Sequence, residues 1–148
     1  MAKSTNQGQS LFEVIIAVGV TSIVLVAIIN TAIVSVRNTS YSRNKTLAAR
    51  HIQEANEWLR GERDASWDSF SAHATISPSW CLSTLDWAKA RSCTETDNIV
   101  GTPFERELIL TIISTQQIST QVKVYWNDSQ GYHEVKSATY LTDWRISQ

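Results

Sequence analysis

A glycine, a glutamate and a long apolar run follow one another near the start of the chain, and if the glycine is a processing site, a cut there would leave the apolar run attached to the mature chain. Gly8 ends a short polar stretch whose basic side chain is Lys3, Glu13 follows, and residues 14–36 then carry no charged side chain. Cutting between Gly8 and Gln9 would free an amino group on Gln9, about one helical turn from Glu13. A cation and an anion would then share one end of an apolar rod, able to pair within a chain or between chains. Glu13 also has a local reading. Ser10-Leu11-Phe12-Glu13 has capping-box spacing, and a carboxylate suits the positive end of a helix dipole. Against this, an ionised side chain near a membrane core costs about 2.5–3.5 kcal/mol and usually marks function or a partner.

The second pair is Cys81 and Cys93, the only cysteines of the chain. Free thiols, a disulfide worth up to about 3 kcal/mol and a zinc site are the options. The zinc site fails, because His73 is the single extra donor nearby and four are needed. A second reading is a binding module, in which exposed Trp80 and Trp87 contact a surface, a sugar or DNA; Lys89 and Arg91 beside them would suit stacking on bases. Packing of these indoles into the loop is the simpler expectation, and Glu95 and Asp97 weigh against nucleic acid. His51 is expected to be an ordinary surface histidine. No Ser-His-Asp signature, phosphate loop or metal-spaced cluster is legible. An enzyme is therefore not expected, and neither is a cofactor or a metal.

The elements that carry these residues can be read from periodicity. The 148 residues allow one globular domain. A net charge of −1 gives no whole-chain reason to expect nucleic acid or an acidic partner. The chain is 18% charged overall, so the uncharged 23 residues of 14–36 divide it into an oily rod and a mixed remainder. A membrane helix needs roughly 20 such residues. Thr21, Ser22, Thr31 and Ser35 can return their hydroxyls to the helix backbone, and Asn30 is uncharged. By itself the run also fits a plain single-pass anchor or an uncleaved signal sequence; no small-residue cleavage site follows it.

Beyond it, Tyr41, Ala48, Ile52, Ala55 and Leu59 form one stripe of an amphipathic helix over 37–66. Residues 67–103 lose periodicity, are rich in Ser, Thr and Asp, and read as an irregular connection. Residues 104–113, 118–126 and 132–144 read as three strands of an antiparallel meander, with turn chemistry at Asn127-Asp128-Ser129-Gln130-Gly131.

Gly8-Gln9-Ser10-Leu11-Phe12-Glu13-Val14-Ile15-Ile16-Ala17-Val18 resembles the processing motif of type IV prepilins and type II secretion pseudopilins. The head segments Arg60-Gly61-Glu62-Arg63-Asp64-Ala65-Ser66-Trp67, Val122-Lys123-Val124-Tyr125-Trp126 and Tyr140-Leu141-Thr142-Asp143-Trp144 resemble a subgroup of minor pilins. The resemblance implies an α+β fold, a long N-terminal helix packed against a small antiparallel sheet. It divides the chain into a leader over 1–8, a transmembrane and assembly half of the helix over 9–36, and a head over 37–148 ending in a β-meander over 104–146. It also implies cleavage after Gly8 by a membrane prepilin peptidase, N-methylation of Gln9, and assembly in which Glu13 attracts the terminal amine of a neighbour. The implied partners are that peptidase, other pilin subunits in a helical filament and an assembly platform. The chain would lie in the cytoplasmic membrane before assembly and in an extracellular or periplasmic filament after it. Gln9 replaces the Phe common in major pilins, and Asn30 stands where many have a Pro; both point to a minor subunit.

Charge alone votes otherwise on topology. Arg37, Arg43, Lys45 and Arg50 follow the apolar run while Lys3 precedes it, which by the positive-inside rule puts the C-terminal part in the cytoplasm. The resemblance puts it outside, and an exported head favours a Cys81–Cys93 disulfide.

Overall fold

A computed structural model describes residues 7–145, with backbone alone for 7–10. Most of the expected leader and the last residue of the expected meander, Ile146, lie outside the described residues. The architecture is α+β. Helix α1 spans Gln7–Ala65, α2 spans Trp67–Ile76, and the strands are β1 (Ser79–Cys81), β2 (Glu105–Ser114), β3 (Gln117–Asp128) and β4 (Gly131–Thr142). They form one antiparallel sheet in the order β1-β2-β3-β4.

The chain divides into two units, Met1–Arg43 and Asn44–Gln148. The compact part thus begins a few residues later than the expected head at Arg37. The reason is packing: the first buried side chain along α1 is Ala48. In the first unit every residue from Leu11 to Arg43 is exposed, including the apolar side chains up to Val36.

In the second unit, Ala48, Ile52, Ala55 and Leu59 are buried at steps of four, three and four, so one face of α1 enters the core. The opposing layer is the inner face of the sheet. Ile118, Thr120, Val122, Val124 and Trp126 alternate inward along β3, and Arg106, Leu108 and Leu110 do so along β2. Tyr41, the first residue of the expected stripe, stays 38% exposed. The three expected strands match β2, β3 and β4. Gly131, at φ +112°, supplies the left-handed position that closes the β3–β4 hairpin; there the Asp128 carboxylate accepts the Gln130 amide at 2.8 Å.

Residues 67–103 are more ordered than the composition suggests. Ser66 caps α2 by accepting the Ser69 amide at 3.2 Å. Trp67 and Phe70 turn into the core, and the Trp67 indole donates to the Thr115 carbonyl at 3.1 Å. Strand β1 then adds to β2 through Ser79, Trp80 and Cys81. The irregular connection is therefore confined to residues 82–104. Tertiary burial of two aromatics overrides a Ser-rich composition that carries no helical stripe.

Candidate functional site: the apolar helix and the stapled loop

Two regions carry the residues singled out by chemistry, one in each unit. In the first, Gly8 and Gln9 lie within the first turns of α1, where the backbone alone is described. Glu13 is exposed, and among the described residues its carboxylate takes no hydrogen bond or ion pair. Four residues separate it from Gln9, so both occupy one face of the helix. The apolar segment that follows satisfies its own polar atoms. Thr21 donates to the Ala17 carbonyl at 2.7 Å, Ser22 to Val18 at 2.8 Å and Thr31 to Ala27 at 2.8 Å. With these hydroxyls returned to the backbone, the helix is long and apolar enough to cross a membrane.

In the second region, Cys81 and Cys93 form a disulfide, with their Cα atoms 4.8 Å apart. It ties β1 to the loop that follows. The loop is centred on Asp97, whose side chain is 6% exposed. Lys89 Nζ reaches its Oδ1 at 2.6 Å, Arg91 Nη1 its Oδ2 at 2.7 Å, and the Thr94 amide and hydroxyl donate to Oδ2 at 2.9 and 2.7 Å. Arg91 and then Lys89 hold this carboxyl far below the usual carboxylate range. The ring of donors is a structural clasp for a strandless segment, and it occupies both cations that the base-stacking idea needed.

The tryptophans are occupied as well. Trp80 is buried at 3% exposure and donates to the carbonyl of Ser77 at 3.2 Å. Trp87 is half-buried, stacks on His73 at 4.0 Å with the rings 9° from parallel, and donates to Glu62 at 2.7 Å. A ligand-binding surface made of exposed Trp80 and Trp87 is thus overturned: the indoles pack the loop onto α1 and α2. Burial pushes the His73 imidazole below its ordinary value, opposed by Glu62. His51 is less of a surface residue than expected, its side chain 17% exposed, 3.1 Å from Glu54 and tilted on Phe104.

Sequence reasoning missed Arg106. It lies at an inward position of β2, 2% exposed, and donates to the carbonyls of Leu82 and His51 at 3.0 Å each, with Glu54 at 3.4 Å. Burial lowers its pKa and Glu54 opposes that. One guanidinium thereby joins α1, β2 and the loop after β1. The strand pattern held the clue, since Phe104, Arg106, Leu108 and Leu110 share parity with the apolar face.

Among the described residues, no three His, Cys, Asp or Glu side chains converge where they could hold a metal ion. Comparison with profiles of known families, with characterised proteins and with solved structures finds no match. What is defined here is an exposed apolar helix, long enough to span a membrane, in a chain with a disulfide-stapled α+β head.

Proposed function

We propose that the chain is a non-enzymatic subunit of a bacterial filament of the type IV pilin and pseudopilin class, in the role of a minor subunit. Prepilin peptidase cuts between Gly8 and Gln9, Gln9 becomes the methylated terminus, and the apolar half of α1 holds the chain in the membrane until it assembles. The observation that carries this reading is the apolar stretch from Leu11 to Val36, in which no side chain is buried by the rest of the chain. Exposed apolar area on this scale needs lipid or neighbouring helices around it. Glu13 at its entrance, without a partner among the described residues, supplies the charge that a neighbour's free amine would meet. A plain membrane anchor requires neither Gly8 nor Glu13.

The test is the mass of the mature N-terminus. Cleavage after Gly8 with one added methyl group is expected, and Gly8→Ala should leave the precursor uncut. An uncut wild-type chain, or a Gly8→Ala chain of mature mass, would contradict the reading.

A further inference from the structure

At the end of the sheet where β2 begins, the head carries a recess of 540 Å³ that the stapled loop and the strands enclose together. Its walls include Glu95, Asn98, Glu105, Tyr125, Asn127 and Tyr132. Glu105 and Tyr125 are register partners across β2 and β3. Tyr125 and Tyr132 form an aromatic wall with ring centres 5.7 Å apart. Among the described residues no basic side chain lines the recess. The two nearest candidates on the loop, Lys89 and Arg91, are already held by Asp97. Neither Glu95 nor Glu105 has a cationic partner among the described residues. Burial pushes the Glu105 carboxyl above its ordinary value; Tyr125 opposes this, and the charges of Asp97 and Glu95 add to it.

The same chain carries the complementary charge elsewhere. Arg50 is exposed and bonded to no carboxylate among the described residues. It stands two residues from both Ala48 and Ile52, hence about 200° around the helix from each. Since Ala48 and Ile52 enter the core beneath the sheet, Arg50 points away from its own head and cannot fill its own recess.

We propose that the recess of one copy receives the Arg50 side chain of a second copy. The guanidinium would meet Glu105 and Glu95 and lie against the tyrosine faces, where a cation is attracted by the ring quadrupole. The two surfaces differ, so the contact is head-to-tail and propagates along a row of copies. This deepens the filament reading by naming a contact between heads, yet it needs neither cleavage at Gly8 nor Glu13. Charge complementarity selects a second copy as the occupant. An anionic lipid surface is the competing fate of Arg50.

The experiment uses the full-length chain in membranes, with Arg50→Lys to supply an amine. Light and isotopically heavy protein are mixed before treatment with a zero-length carbodiimide, which joins amines to carboxylates. The expected product is a mixed-isotope peptide pair linking residue 50 to Glu105 or Glu95. The link to Glu105 should fall about tenfold when Glu95→Gln removes the second carboxylate and leaves Glu105 reactive, and persist in Glu107→Gln. An intact Cys81–Cys93 bond in each variant verifies folding. Residue 50 linked only within its own chain would overturn the contact. So would a residue-50 amine shielded by anionic vesicles equally with and without the two glutamates. A crosslink in a chain that is never cut at Gly8 would sink the filament reading and leave the contact standing.

Discussion

Helix α1 serves two environments along one continuous element, and the comparison separates what holds the chain together from what it is for. Residues 11–43 bury nothing, although they include 7 of the chain's 11 Val and 6 of its 14 Ile. From Ala48 onward the same helix buries one side chain per turn against a sheet, with smaller residues and a charged outer face. In the second stretch, hydrophobicity is matched to a partner within the chain. In the first it is matched to nothing the chain supplies. Unmatched apolar surface in a folded chain is a statement about surroundings; under the proposed function, assembly would use the first stretch while stability resides in the second.

The largest effect that sharpens this contrast is removal of the first stretch. A chain starting near Arg37 should leave the membrane fraction and be soluble and monomeric at micromolar concentration. The head contact proposed above does not alter that, because ion pairs worth about 1 kcal/mol each, with a cation–π contact of about 1 kcal/mol, fall well short of the roughly 8 kcal/mol that micromolar association needs. Filaments or membrane association of the truncated protein, read by sedimentation and flotation, would show that the division is misplaced.

A smaller effect tests the staple. Cys81→Ser with Cys93→Ser should destabilise the head by about 3 kcal/mol, the chain-entropy value for a loop of this size, measured by denaturant unfolding. Two thiols that alkylate without reductant in the native protein would reverse the disulfide and the export it suggests.

The smallest effect is electrostatic. His73 is shifted down by burial, so the fold prefers its neutral form. Stability from that preference is complete above the unfolded value near 6.5 and is lost as pH falls through it. Asp97 is likewise shifted down, by Arg91 and Lys89, and its contribution is lost only in the acid range below the ordinary carboxylate value. Thermal unfolding should therefore weaken in two steps on acidification. His73→Phe should remove the first and leave the second; a single step unaffected by His73→Phe would refute the assignment.

The parts legible in the sequence were those with a period. The stripe Ala48, Ile52, Ala55 and Leu59 and the alternation Val122, Val124, Trp126 each repeat a spacing that burial imposes. Short elements held by tertiary contacts were not legible. Strand β1 is three residues long with Trp80 and Cys81 both buried, so it shows no alternation. Helix α2 is amphipathic through little more than Trp67 and Phe70, and its clearest signal was the cap Ser66 with Asp68 in the first turn. Asp97 looked like a surface acid because nothing local announces that Lys89, Arg91 and Thr94 will surround it.

The account rests most heavily on Glu13. The expected capping box is not formed, because α1 begins at Gln7 and Ser10 is an interior helical residue rather than an N-cap; what remains to separate is a local charge near the start of a helix from an assembly charge. Glu13→Gln keeps the size and hydrogen-bonding capacity of the side chain. It removes the charge that would meet the Gln9 amine of a neighbour, leaving a buried cation unpaired at a cost of roughly 3–5 kcal/mol. The measurement is an immunoblot of membrane and sheared-filament fractions, normalised to mature protein. The account predicts a variant that inserts and is cut after Gly8 yet is depleted from filaments. Incorporation equal to wild type would contradict it and leave Glu13 as a local charge near the start of α1.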